Sequence, residues 1–199
     1  MLSKINSLIY YYFTYPIYKM QFAKIGSRVR IFNPLKIEGK KNIEINNNTV
    51  IGSGSWLASL PLTGLGKSVL IFSENCRIGN FNHIYCTGEI IFEKNVLTAD
   101  KVYISDNLHE YENINQPIYR QPIKQLNKII IGEGSWIGEN VCIIGASIGK
   151  QSVIGANAVV TKNVPDFCVA VGSPAKIIKR YCFASESWKR TDDNGTFKP

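Results

Sequence analysis

Two histidines, His83 in "IGNFNHIYC" and His109 in "SDNLHEYEN", are the only imidazoles in the chain of 199 residues. An imidazole takes up and releases a proton near neutral pH, so a histidine beside a bound hydroxyl can act as its general base. His109 falls in residues 105–127, "SDNLHEYENINQPIYRQPIKQLN", which have no periodicity, and a long aperiodic stretch inside a regular chain is more often functional than idle. A surface histidine without a task is the competing reading. Asp106, Glu110 and Glu112 are close enough in sequence to orient the His109 ring. His83 lies just before an apolar repeat residue, where a structural role or a place in a substrate pocket is expected. A three-histidine zinc centre is out of reach for two histidines, so no metal site is expected.

The frame that must hold these residues is a repeat with a period of six. Apolar residues recur at Ile25, Ile31, Ile37 and Ile43, at Ile51 and Leu57, at Ile78 and Ile84, and at Ile91, Leu97 and Tyr103. After a gap the series resumes at Ile131, Ile137 and Ile143, and continues one residue early at Ile148, Ile154 and Val160. A small residue often follows the apolar one, as in Ile78-Gly79, Ile137-Gly138 and Ile154-Gly155. Neither an amphipathic helix nor an alternating strand has this period. An all-β solenoid does: each hexad is a short strand plus a corner, with the apolar residue pointing inward and the next residue small because the chain turns there and backbones approach closely. The repeat breaks at residues 105–127 and also at "ASLPLTGLGKS" between Leu57 and Val69, a small excursion.

A chain that is 45% hydrophobic and 19% charged suits one compact domain. The formal net charge of +8 favours anionic partners such as phosphates, nucleotides or a lipid surface, without choosing among them. Five cysteines, an odd count with no metal-ligand spacing, suit a reducing, cytoplasmic setting. The N-terminal "MLSKINSLIYYYFTYPIYKMQFAKIGS" lacks the uninterrupted apolar run a bilayer demands and has no small-residue cleavage site. Two readings stay open for it: a helix packed on the body, or an amphipathic segment on the inner face of the membrane.

From about Ile25 to Arg180 the chain resembles the hexapeptide-repeat acyltransferases, and within them the galactoside, xenobiotic and capsule acetyltransferase branch. The resemblance rests on "WIGENV", "VIGANAVVTKNVP", "VGSPAKIIKR" and the histidine loop ending in "PIYRQPI". It implies a left-handed parallel β-helix, although parallel connections in general favour the right hand. The expected organisation is an N-terminal cap of residues 1–24 (helical and aromatic), a β-helix domain of residues 25–180 with the active-site loop 105–127 protruding, and a short C-terminal helix or tail of residues 181–199.

What the resemblance implies for function is acetyl transfer from acetyl-CoA to a carbohydrate hydroxyl, with His109 as general base. The branch often shows Asp-His-x-His here, and this chain has Asn107 at the first histidine. Trp136, Gly138 and Glu139 match the thioester end of the donor site, the Glu139 backbone N–H facing the oxyanion. Ala156, Thr161 and Lys162 match positions along the pantetheine arm and nucleotide, and Lys176 and Lys179 the residues that meet phosphates. Asn80 matches an asparagine that contacts the acceptor sugar, and His83 is placed with it, although a turn asparagine is nearly as good a reading of Asn80. A homotrimer and a carbohydrate acceptor are the implied partners; a nucleic-acid partner is not. N-acetylation of a nucleotide-linked amino sugar stays open beside O-acetylation.

Overall fold

Three columns of inward-pointing residues form the core of the protein, described in a computed structural model over residues 10–198. The first runs Ile25, Ile45, Phe72, Phe92, Ile131, Ile148, Val164. The second runs Ile31, Ile51, Ile78, Thr98, Ile137, Ile154, Ala170, and the third Ile37, Leu57, Ile84, Ile104, Ile143, Val160. Nearly all are buried, and Phe72 stacks on Phe92 with ring centroids 4.7 Å apart. Each buried branched side chain contributes about 1.5–3 kcal/mol of transfer free energy.

Successive strands visit three parallel sheets in turn, so the chain winds as a three-sided prism. The first face holds Lys24–Ile25, Ile43–Ile45, Val69–Phe72, Glu89–Phe92 and Ile129–Ile131. The second holds Arg30–Ile31, Val50–Ile51, Arg77–Ile78, Leu97–Thr98, Trp136–Ile137, Val153–Ile154 and Cys168–Val171. The third holds Lys36–Glu38, Trp56–Ser59, His83–Cys86, Tyr103–Ser105, Cys142–Ile144 and Val159–Val160.

At the corners the expected close approach of backbones at the small residue is found, whereas the expected turn at that residue is corrected. The small residue is needed for coil stacking: a Cβ on Gly138 would sit 2.7 Å from the Ala156 backbone nitrogen of the next coil. The left-handed turn comes two residues later, at Asn140 (φ 57°), and asparagines 48, 75, 95 and 157 repeat it on other coils with φ of 60–63°. Asparagine tolerates this conformation better than most residues.

One stretch of the repeat also needs re-phasing. Ile91, Leu97 and Tyr103 were expected to point inward, but Phe92, Thr98 and Ile104 do, and Leu97 is 46% exposed. The run Ile90-Ile91-Phe92 offers apolar residues to both sides, and the coil-stacking small residue is Ala99, which follows Thr98.

Insertions leave at a single corner, between the third and first faces. The excursion at residues 60–67 emerges there, and so does the expected loop at 105–127, whose arm is stiffened by Asn107–His109 pairing antiparallel with Ile123–Gln125. The two meet where the Thr63 hydroxyl donates to Gln125 Oε1 at 2.7 Å.

At the N-terminus a short helix, Tyr15–Gln21, follows a π-helical turn at Tyr10–Thr14. Phe22 plugs the end of the prism, and the Tyr15 hydroxyl donates to Gly26 O at 2.9 Å. The opposite side of this segment, with Tyr12, Phe13, Ile17 and Met20, is exposed. The first nine residues of the expected N-terminal cap lie outside the described residues. Among the described residues no helix is long and apolar enough to cross a membrane.

The C-terminal expectation of a helix or tail after Arg180 is corrected. Lys176–Cys182 folds back antiparallel on Cys168–Val171, and Ser187–Arg190 adds a further antiparallel strand. These strands cover the last sheet edge, which would otherwise offer unpaired backbone groups.

Candidate active site

Side chains alternate along a strand, so the strands that send Leu57, Ile84 and Ile104 inward send Trp56, His83 and Tyr103 outward in register on the third face. The Trp56 indole and the His83 imidazole stack with centroids 4.2 Å apart at 7°, and Tyr103 meets His83 edge-on at 5.2 Å. Tyr85 stands perpendicular to both Trp56 and His83. Beyond Trp56, Lys36 Nζ lies 5.2 Å from the ring centroid, and Trp56 Nε1–H donates to Glu38 Oε2 at 2.9 Å. Lys36 and the Trp56 N–H hold the Glu38 carboxyl below the usual carboxylate range.

The arm at 105–127 closes over this aromatic row. A cleft of about 480 Å³ lies between them, walled by Trp56, His83, Tyr85 and Tyr103 on the prism side and by Asn107, Leu108, His109 and Ile123 on the arm side, with Ile144 at its end. The structure therefore brings both histidines to one cleft, from elements far apart in sequence. His109 is exposed at the rim, and no hydrogen bond to its ring is present among the described residues. His83 is half-buried; burial pushes its pKa down, and its Nε2 is buried without a hydrogen-bond partner among the described residues.

Asp106, named from sequence as one group able to orient His109, is used elsewhere. Its fully buried carboxylate accepts the backbone N–H groups of Thr87 (2.8 Å), Gly88 (2.8 Å) and Glu89 (2.9 Å), and the Thr87 hydroxyl at 3.1 Å. It is the bolt that fixes the root of the arm to the prism. Gln125 Nε2 reinforces it by donating to the Asp106 carbonyl at 2.7 Å. Glu112 lies 3.8 Å from Lys124, and Glu110 joins the arm through its backbone N–H, which donates to Pro122 O. Asn107 donates to Tyr85 O at 3.2 Å, tying the arm to the aromatic row.

The residues matched to the donor form a second group, away from this cleft. Trp136 projects outward on the second face between Leu97 and Val153 and is half-exposed. Gly138, Glu139 and Ala156 stack at the corner between the second and third faces. The Glu139 carboxylate pairs with Lys101 at 3.1 Å, and its backbone N–H has no hydrogen bond within the described residues. Thr161 and Lys162 are exposed just past Val159–Val160. Lys176 Nζ is 2.5 Å from Asp193 Oδ2, whereas Lys179 on the same strand has no acidic partner among the described residues. Asn80 belongs to neither group: its Oδ1 accepts Ser53 N–H at 2.9 Å and its Nδ2 donates to Asp100 at 3.2 Å, a ladder across three coils.

Sequence reasoning did not find Trp56 and Tyr85, and it placed Tyr103 inward. The available signal was the outward position beside each third-face apolar residue, which carries an aromatic ring on successive coils. Among the described residues no group of three or more His, Cys, Asp or Glu could hold a metal ion.

Residues 128–162 match the family model described as the hexapeptide repeat of succinyl-transferase. The chain is 31% identical to the putative lipopolysaccharide biosynthesis O-acetyl transferase WbbJ of Escherichia coli K12 over 79% of this chain and 81% of that one. It is 30% identical to the galactoside O-acetyltransferase of the same organism, over 74% and 71% of the two chains. Among solved structures, AntD, an N-acyltransferase from Bacillus cereus in complex with dTDP and 3-hydroxybutyryl-CoA, superimposes with a TM-score of 0.70 at 20% identity, covering 84% of this chain and 87% of that one.

Proposed function

The chain belongs to the hexapeptide-repeat acyltransferase family, and from that premise we propose that it transfers an acetyl group from acetyl-CoA to a hydroxyl of a carbohydrate, a surface-polysaccharide precursor or a glycoside. The observation that carries the reading is the cleft between the aromatic row and the arm, with His109 at its rim and its ring free of hydrogen bonds among the described residues. The two relatives named as O-acetyltransferases support the hydroxyl as acceptor. We read the winding of the prism as left-handed on the strength of family membership.

In this reaction a ring nitrogen of His109 takes the hydroxyl proton as the acceptor oxygen attacks the thioester carbonyl. The tetrahedral oxyanion collapses, the carbon–sulfur bond breaks, and the departing CoA thiolate takes the proton back. No acyl-enzyme is required, because donor and acceptor meet in one site. The unbonded Glu139 N–H is suited to the oxyanion, and Lys162 and Lys179 to the phosphates of the donor. Lys176 is less available, being held by Asp193.

Within one chain the His109 cleft and the Trp136–Glu139 group occupy different parts of the prism. Docking the arm of one copy against the donor group of another would unite them, which suits the homotrimer with shared active sites that the family resemblance implies. Five free thiols favour a cytoplasmic location. The test is CoA thiol release from acetyl-CoA across methyl glycosides, oligosaccharides and nucleotide-linked amino sugars. Turnover with hydroxyl acceptors supports the proposal, and turnover confined to amino sugars replaces it with N-acetylation.

A further inference from the structure

His83 combines three features that a packing residue does not need together. It forms part of the wall of the cleft, its ring is clamped between Trp56 and Tyr103, and its Nε2 is buried with no hydrogen-bond partner among the described residues. Its Nδ1 also lacks a hydrogen bond among the described residues but, unlike Nε2, is not buried, and the ring borders the cleft. A proton on Nε2 would face no acceptor, and a charged ring would need partners for two N–H groups. The proton therefore belongs on Nδ1, as a donor fixed in direction by the stack.

We infer that His83 is a specificity-determining residue for the acyl acceptor: its Nδ1–H donates to a hydroxyl oxygen of a bound carbohydrate. The inference rests on the hydroxyl-acetylation reading above and adds a division of labour to it. His109 on the arm moves the proton, while His83 on the rigid face selects the acceptor and holds it. An acceptor presenting an apolar group at that point would leave the donor unpaired, and a site built around a hydrogen bond rejects such analogues. Burial disfavours the charged ring, which favours the neutral donor.

The experiment compares wild type, His83→Phe and His83→Asn. Phenylalanine keeps the stack and removes the donor; asparagine places an amide N–H near the Nδ1 position. With the best hydroxyl acceptor among methyl galactoside, methyl glucoside and methyl N-acetylglucosaminide, His83→Phe is expected to raise the acceptor KM about tenfold, roughly the worth of one neutral hydrogen bond. The KM for acetyl-CoA and the thermal midpoint stay within error, and His83→Asn recovers part of the loss. An unchanged acceptor KM in His83→Phe overturns the inference while leaving acetyl transfer intact. Absence of wild-type turnover with every hydroxyl acceptor is instead a failure of the functional reading. Independently of any acceptor, nitrogen-15 NMR of the histidine-labelled protein shows two imidazoles. His83 is expected neutral at pH 7 with the proton on Nδ1, and a signal from the Nε2–H or charged form refutes the assignment.

Discussion

Asp106→Ala is the perturbation for which the structure gives the clearest magnitude. The carboxylate is fully buried and accepts three backbone N–H groups at 2.8–2.9 Å, plus the Thr87 hydroxyl. Hydrogen bonds to a charged acceptor contribute about 1.5–3 kcal/mol each, and a buried donor left without its partner costs about 1–3 kcal/mol. Three orphaned donors at that cost sum to about 3–9 kcal/mol, and water entering the vacated site answers some of them, so the lower part of the range, about 3–5 kcal/mol, is expected. Denaturant unfolding at matched protein concentration reads this as a lower midpoint with an unchanged slope. Asp106→Asn keeps the shape but turns one acceptor into a donor facing N–H groups, and is expected to lose about half as much. Because the same carboxylate fixes the root of the arm, both variants also lose acetyl transfer at temperatures where they remain folded. A loss below about 1 kcal/mol in Asp106→Ala, on the scale of an ordinary surface substitution, would refute the bolt.

Two further outcomes follow from the fold. Gly138→Ala drives a Cβ against the Ala156 backbone nitrogen at 2.7 Å, and is expected to destabilise by about 1–3 kcal/mol net in thermal unfolding, the clash outweighing the gain from reduced entropy of the unfolded chain. Ile104→Ala is expected to cost about 2–5 kcal/mol and Leu97→Ala under about 1 kcal/mol in the same assay; the reverse order would restore the hexad phase in which Leu97 points inward.

The prism was legible because its signal is periodic: an inward branched residue followed by glycine can be counted along the chain, and Ile131, Ile137 and Ile154 stack as that count requires. Phase failed at Ile91, where adjacent apolar residues fit both faces and only Ala99 marks the coil-stacking position. The C-terminal strand Lys176–Cys182 was hidden because its charges suggest a solvated tail, while backbone pairing to Cys168–Val171 decides its conformation. The meeting of His83 and His109 was not legible at all. Coil lengths differ along the chain, so which outward residues share a cleft depends on where insertions leave the prism. Asp106 was visible as a residue near His109, but its role depends on Thr87, Gly88 and Glu89 arriving from the previous coil. Asn80 shows the same limit, since its amide is used by Ser53 and Asp100 on the coils at either side.

The measurement that bears most directly on the account is CoA thiol release from acetyl-CoA with a hydroxyl acceptor, for wild type and His109→Ala at equal concentration of folded protein. A positioned general base contributes about 10²–10⁴-fold, and the His109 ring makes no hydrogen bond among the described residues, so the variant is expected to lose at least about 100-fold in kcat with its thermal midpoint unchanged. Turnover within a few-fold of wild type in His109→Ala would contradict the assignment of the proton transfer to this arm.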